Sequence, residues 1–549
     1  MKSIYLTTAS LILACYYLSA QTLYPPYYRE DMPLPDWVHE MMSETPNVFR
    51  AQSMYRAYYD AHPFEKNNFT QYYKKWMHYA QQRTGQDGFI HKNPSQLPAH
   101  STVRGGSVWS SVGPFETLWE ENQTPASWQV NVYCVDRSIS NPDVLYCATE
   151  GAEIYKSIDH GTSWSCVSKN YNLPSGESIR IHPTNPEMVY YGGGDYIFKT
   201  TDGGISWSVV YTLNDFNCSA IVINSSNPNI VMACGAKGLI RSTDAGSNWT
   251  TIYTSRVWDL AVKPGDTNTI YCVKTNSVLN IAEFFKSTDG GATFNLFNSG
   301  WYSGGTQSQD GGARIGVTPA NPEVVYVHLI GQSKDGDNGF IGIWKSTDSG
   351  NSWSLPHGQV GAPYSCGDAN SSVNCPYPNI TTIGAAGTYH QGFYNCDLAV
   401  SATDENKLLI GGCSLWRSND GAATFLGVGG YSGQVERIHP DIQDMLVLGN
   451  EVWLCSDGGI NLSTDFFATH QSKKNGITGS DYWGFDQGWN EDVMVGGRYH
   501  NGNAVLFEGY PQGVSIRLEA ARRLQVISIP VIIAWPISAI SVIWKYQIP

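Results

Sequence analysis

Seven copies of one short pattern constrain this chain more than any other feature. They read SIDHGTSW (157–164), TTDGGISW (200–207), STDAGSNW (242–249), STDGGATF (287–294), STDSGNSW (346–353), SNDGAATF (418–425) and STDFFATH (463–470). The central aspartates are Asp159, Asp202, Asp244, Asp289, Asp348, Asp420 and Asp465, at spacings of 43, 42, 45, 59, 72 and 45 residues. An interval of about 40–45 residues built from strands is the signature of propeller blades.

The pattern has a direct physical reading. A Ser/Thr hydroxyl and an Asp carboxylate accept hydrogen bonds from nearby backbone N–H groups and fix a tight turn. Gly161, Gly204, Gly246, Gly291 and Gly350 fall where such a turn needs positive φ. The closing Trp or Phe is expected to bury its ring against the next blade. The sixth copy has Ala422 at the Gly position and the seventh has Phe467, so those two turns are expected to be distorted. The seven aspartates read as turn staples and not as catalytic acids or calcium ligands.

Each copy sits in a longer unit of four short strands. Residues 178–211 give strand (SIRIH), turn (PTNP), strand (MVYYGG), strand (YIFKTT), the repeat, and strand (SWSVVY). First strands are placed near Gln129, Ser178, Cys218, Val257, Arg314, Asp397 and Val435, and an eighth strand set begins near Tyr482. The expected fold is all-β: one propeller of seven repeat-bearing blades plus a partial eighth, with an N-terminal helical segment. The strand at 107–113 is the expected closing piece.

The repeat resembles the Asp-box, or BNR repeat, of sialidases, sortilin-type receptors and xyloglucanase-like glycoside hydrolases. In those families the box lies at the blade periphery, away from the active face. A helical stretch over 46–83 ahead of a W-x-x-x-G-P strand (109–114) also resembles exported bacterial propellers that use the type IX secretion route. That resemblance implies a C-terminal sorting domain and contact with secretion machinery.

The domain reading is 1–20 signal peptide, 21–104 extended then helical segment, 105–515 propeller, and 516–549 atypical tail. Lys2, an apolar run over 4–18 and Leu18-Ser19-Ala20 make the leader, so a secreted or cell-surface location is expected. A lipoprotein signal ending at Cys15 is the alternative. Residues 21–45 are expected to be extended, and Pro63 divides the helical pair, read as a brace on the propeller. The tail lacks glycine, and 524–544 is uncharged over 21 residues but interrupted by Pro530 and Pro536. Membrane anchor, buried strands, and a truncated or out-of-frame end all stay open.

Net charge is −14, which argues against nucleic acid as partner. Losing Cys15 from 12 cysteines leaves 11, an odd number for an exported chain. Cys366 and Cys375 form the best disulfide candidate. Cys134 and Cys147 are expected on adjacent strands, and most others read as core filler.

Propeller first strands line a central channel, so the polar residues on and just before them are the candidates for chemistry. Asp259 and Asp397 form a candidate hydrolytic carboxylate pair. Asp310, Arg314, His390, Tyr394, His439, Asp441, Arg498 and His500 are candidate ligand-binding residues. His439, Asp441 and Asp444 have H-x-D-x-x-D spacing suited to a divalent cation, the one cofactor considered. Two of these segments resemble family stretches in altered form: HPDIQD (439–444) an H-x-D-x-H stretch, and GGRYHNGN (496–503) a G-x-Q-D-N-G turn.

Two functions follow. One is a monomeric secreted propeller that binds glycan or protein at its channel face. The other is a glycoside hydrolase on an unidentified polysaccharide. A sialidase would need three clamping arginines and an F-R-I-P segment; none precedes the first repeat, and first-strand arginines are few (Arg180, Arg314, Arg437). A two-propeller xyloglucanase would need a second full propeller, for which the length is short.

Overall fold

The computed structural model describes residues 30–90 and 113–518, apart from short internal stretches, the longest covering most of 359–394. The chain divides into two compact units, Met1–Ser110 and Ser111–Pro549. The leader, the 366–375 loop, most of the 107–113 strand and the tail beyond 518 lie outside the described residues. Among the described residues no helix is long and apolar enough to cross a membrane.

In the first unit, the stretch expected to be extended holds helix α1, Asp36–Met42. Pro35 stands immediately before it with φ −58°, and Asp36 puts an acid in the first turn. Trp37, Val38 and Met41 are buried. Helix α2, Val48–Ala61, starts where the Asn47 side chain accepts from the Arg50 N–H at 3.1 Å. Tyr55 stacks on Tyr73 at 3.9 Å, and Trp37 packs edge-on against both. These aromatics give the unit its own apolar core.

In the second unit, the described strands form seven four-stranded antiparallel sheets and one five-stranded sheet. Each four-stranded sheet runs in chain order and carries one repeat. The inner strands of blades 1 to 7 are Val132–Arg137, Ser178–His182, Cys218–Ile223, Val257–Val262, Asp310–Val317, Asp397–Val400 and Ile442–Leu448. Each lies beside the next, and the inner strand of blade 7 lies beside that of blade 1. Seven blades therefore complete the inner ring.

The eighth strand set is present as the five-stranded sheet, which stands outside that ring. Its order is Glu116–Trp119, Val514–Leu518, Gly502–Phe507, Val493–Arg498, Tyr482–Gln487. An N-terminal strand does join the last sheet, but it is Glu116–Trp119, paired parallel with Val514–Leu518.

All seven repeat turns share one network. In the third, Ser242 Oγ donates to Asp244 Oδ1 (2.8 Å) and accepts from the N–H of Asp244 (3.2 Å) and Gly246 (2.8 Å). Asp244 in turn accepts from the Asn248 backbone N–H (2.8 Å) and side-chain amide (2.7 Å). The sixth and seventh turns are not distorted, contrary to expectation. Ala422 (φ 74°) and Phe467 (φ 59°) take up the left-handed conformation themselves. Their N–H groups reach Ser418 and Ser463 Oγ at 3.0 and 2.8 Å. That conformation costs about 1–3 kcal/mol in a non-glycine residue, so the turn's hydrogen bonds and the burial of both side chains override it.

The repeat aromatics pack on the preceding blade, not the next. Trp207 Nε1 donates to Val167 O of blade 1 (3.4 Å) and Trp249 Nε1 to Val210 O of blade 2 (3.0 Å). Trp164 Nε1 reaches Lys473 O (2.7 Å), just beyond the last strand of blade 7, and so links the first blade to the seventh. Blades 4 and 5 share the densest aromatic contact, with Phe284 4.6 Å from Trp353 and Trp301 4.8 Å from Trp353.

Among the described residues, nine cysteines stand outside any disulfide. Cys134 and Cys147 do lie on adjacent strands, one residue out of register. They belong to different inter-blade cores, and burial pushes both thiols well up. Such thiols behave as small apolar side chains.

The buried hydroxyl and the exposed carboxylate of a repeat turn contribute differently. Ser242→Ala strands a buried N–H and is expected to cost about 1–3 kcal/mol in denaturant unfolding. The Asn248 amide and N–H hold the Asp244 carboxyl down, to about 2, and Ser206 does the same for Asp202. Folded-state values below the unfolded value give stability that is full above about pH 4 and lost as pH falls through about 2. Melting curves between pH 5 and pH 2, taken as approximate bounds of that window, should show the decline. Asp244→Asn should flatten its share of it.

Candidate functional site

The innermost strand of each blade has one edge without a strand partner, so its N–H groups must find other acceptors. Side chains from the neighbouring blade supply them. Asp444 Oδ2 accepts from Val135 N–H (2.9 Å), Asp136 Oδ2 from Ile181 N–H (2.7 Å), Ser178 Oγ from Ile221 N–H (2.9 Å) and Asp259 Oδ2 from Ile315 N–H (2.8 Å). These bonds stitch blade 7 to 1, 1 to 2, 2 to 3 and 4 to 5.

Two guanidiniums share this axis. Arg180 is an electrostatic neighbour of Asp136 and Asp444, and Arg314 of Asp259 and Asp397. Burial pushes the Asp136 carboxyl up to about 6 against the pull of Arg180. It pushes Asp397 furthest, to about 8, with the Asp444 charge adding to the rise and Arg314 opposing it. Among the described residues, Asp397 Oδ2 has no hydrogen-bond partner.

This arrangement corrects the proposed hydrolytic pair. Asp259 is engaged through both oxygens, Oδ1 accepting from Leu260 N–H at 2.8 Å and Oδ2 from the next blade. Arg314 turns its guanidinium to the carbonyls of Ala313 (3.1 Å) and Trp258 (3.4 Å). Both hold the axis together.

A second constellation forms where blade 7, blade 1 and the five-stranded sheet meet. Asp441 precedes the inner strand of blade 7. Asp457 lies in the turn between the blade 7 strands Glu451–Ser456 and Gly459–Ser463. His500 sits at the hairpin tip between Val493–Arg498 and Gly502–Phe507. One ligand-type atom from each lies within 4.8 Å of the others. His500 Nδ1 is 2.5 Å from Asp457 Oδ2. Amides orient the carboxylates: Asn395 donates to Asp441 Oδ1 and Gln443 to Asp457 Oδ1, both at 2.9 Å. Asn131 donates to Glu150 Oε2 at 2.5 Å.

The electrostatics follow from burial and proximity. Burial raises the Glu150 carboxyl, and the Asp457 charge adds to it against a Tyr133 hydrogen bond. Burial alone would depress the His500 imidazole, but the bond to Asp457 and the charges of Asp457, Glu150 and Asp441 outweigh it and hold it above its ordinary value.

The cation triad read from the sequence is therefore regrouped. Asp444 is at the axis, bonded to Val135. His439 is buried, with Nδ1 2.7 Å from Pro440 O and Nε2 3.1 Å from His500 O. Only Asp441 stays, joined by Asp457 and His500. Arg498 is directed inward, to Thr117 Oγ1 (3.0 Å) and the carbonyls of Trp128 (3.0 Å), Gln129 (3.3 Å) and Asn501 (3.4 Å), and so pins structure instead of facing a ligand. Asp310 opens the inner strand of blade 5 opposite Gly331. His390 and Tyr394 lie outside the described residues. Asp457 and Glu150 escaped sequence reasoning. Asp457 sits in SDGG (456–459), which mimics a repeat turn without its closing aromatic, and Glu150 opens the turn after an ordinary strand.

No family model matches the chain. An ancestral GH74 enzyme is similar in structure, with TM-score 0.50 and 16% identity over 75% of this chain and 55% of that one. A GH74 enzyme from Niastella koreensis gives TM-score 0.35 at 14% identity, covering 71% and 73%. YCF48 bound to D1 peptide gives 0.39 at 15%, covering 63% and 98%. In sequence, 66 residues are 33% identical to a xyloglucanase of Hypocrea jecorina, 10% of this chain and 8% of that protein. The chain thus spans about half the length of the ancestral enzyme and matches a small part of the curated one. The fold is a β-propeller.

The Asp397 carboxyl offers a test of the axis. Its folded value lies above its unfolded value, so the fold retains a proton that the unfolded chain releases above about pH 4. Stability should fall as pH rises from about 4 to about 8 and level off beyond. Asp397→Asn should remove that slope in urea unfolding taken at several pH values.

Proposed function

We propose that this protein is an exported propeller that binds a glycan at the seam between blade 7, blade 1 and the five-stranded sheet. The observation that carries the reading is the convergence there of a stacking surface with oriented polar groups. Trp128 is half-buried, its ring packed by Trp119 (4.9 Å), the Arg517 guanidinium (5.0 Å) and His439 (5.1 Å), which contacts His500 in turn, so the part of the ring left open borders this seam. The half-buried Glu150 and the accessible His500 imidazole offer acceptors and donors for sugar hydroxyls, with the buried Asp457 holding His500 in place. An apolar ring face beside hydroxyl-bonding groups is what a sugar ring requires. The local similarity to a xyloglucanase and the likeness in fold to GH74 enzymes support a glycan over a protein as ligand. The leader read at residues 1–20 supports export to the cell surface or medium, and the acidic net charge supports a neutral or cationic partner.

Hydrolysis at the same seam is the second reading, favoured by one observation. Burial raises the Glu150 carboxyl, as a general acid requires, and Asp457 stands near it with Oδ1 accepting from Gln443 at 2.9 Å, so two acidic groups in different surroundings meet at the seam.

Affinity electrophoresis and calorimetry with xyloglucan, mixed-linkage β-glucan and mannan test the first reading. Binding to at least one is expected, weakened at least ~10-fold by Trp128→Ala. Release of reducing ends, abolished by Glu150→Gln with binding retained, would establish the second. A folded protein that binds none of these and releases no sugar ends overturns both.

A further inference from the structure

We infer that Asp441, Asp457 and His500 form a binding site for one divalent transition-metal ion. The three donors come from three separate turns, yet their ligand atoms lie within 4.8 Å of one another. Oxygen and nitrogen ligands sit about 2.0–2.2 Å from such an ion, so the half-exposed His500 completes the set by exchanging its hydrogen bond to Asp457 for a bond to the ion.

The surroundings match what a metal site needs. Asp441 and Asp457 are 4% and 0% exposed. One oxygen of each is fixed by an amide, Asn395 on Asp441 and Gln443 on Asp457. Such outer contacts hold ligand carboxylates in place, and removing them weakens metal binding about 10–100-fold. His500, 35% exposed at its side chain, leaves a path for the ion to enter.

Charge points the same way. Two buried carboxylates, with Glu150 as a further acidic neighbour of Asp457, face the His500 imidazole, and the buried His439 ring is a second neighbour of Asp457. Arg498, on the same hairpin as His500, directs its guanidinium to Thr117 Oγ1 and three backbone carbonyls. A bound cation offsets the excess negative charge that the buried carboxylates otherwise bear unpaired by solvent.

Donor chemistry selects the kind of ion. Calcium and magnesium favour oxygen shells, and soft ions favour sulfur. Two carboxylate oxygens and one imidazole nitrogen suit Mn²⁺ or Zn²⁺. Three protein ligands leave positions open for water or another oxygen ligand. The inference does not depend on the glycan reading.

The test uses the full exported protein, stripped with a chelator and titrated with Mn²⁺ and, separately, Zn²⁺, without any sugar. Loss of the free Mn²⁺ spin-resonance signal and calorimetry read the stoichiometry. One equivalent is expected to bind, with a raised melting temperature. Asp457→Asn and His500→Gln should each weaken binding at least ~10-fold. Asp457 is buried and its variant can fail to fold, so His500→Gln, at a half-exposed position, decides the matter. Folded wild-type protein that binds less than one equivalent at millimolar ion, or His500→Gln that binds as tightly as wild type, overturns the inference.

Discussion

The unpaired edge of each innermost strand governs this architecture. A four-stranded blade satisfies its backbone internally except at its two borders. The inner border faces the axis, where seven strands crowd together. A buried N–H without an acceptor costs about 1–3 kcal/mol. The chain meets this by placing an acidic or hydroxyl side chain on one inner strand to receive the N–H of the next, as Asp136 receives Ile181 and Asp259 receives Ile315. Carboxylates drawn to the axis for that purpose then need countercharge, which Arg180 and Arg314 supply.

The same polar groups that look catalytic in a linear sequence thus serve as fasteners. A charged residue inside a first strand is ambiguous until its neighbours are known. Asp259 and Asp444 each bond a backbone that lies one blade away, dozens or hundreds of residues distant in sequence. Asp397 differs because one of its oxygens has no donor among the described residues. Burial, with the Asp444 charge adding to it, holds its carboxyl well above the usual range.

The outer rim shows a different balance. Each repeat turn is organised by a buried hydroxyl that takes two backbone N–H groups and by an exposed carboxylate that takes a third. The hydroxyl network is strong enough to force Ala422 and Phe467 into a conformation normally left to glycine. Aromatic rings then lean back on the preceding blade, so the rim closes in the same sense at every step, from Trp207 on Val167 to Trp164 on Lys473.

Local rules were enough for what repeats. The S/T-x-D turns, the strand lengths and the count of seven blades follow from hydrogen-bonding capacity and periodicity within about ten residues, and all were legible in the amino-acid order. Helix α1 was not, because its stability comes from Trp37 and Met41 packing on Tyr55 and Tyr73 and not from local signals. The HPDIQD and GGRYHNGN segments stood out for their residue types, but the partnership of Asp441 with Asp457 and His500 joins three turns with no shared local pattern. Only closure of the ring, with the last sheet laid against blades 7 and 1, decided which carboxylates fasten the axis and which gather at the seam. The reason is physical: a side chain's role depends on which donors and charges surround it, and that is fixed by packing between distant strands.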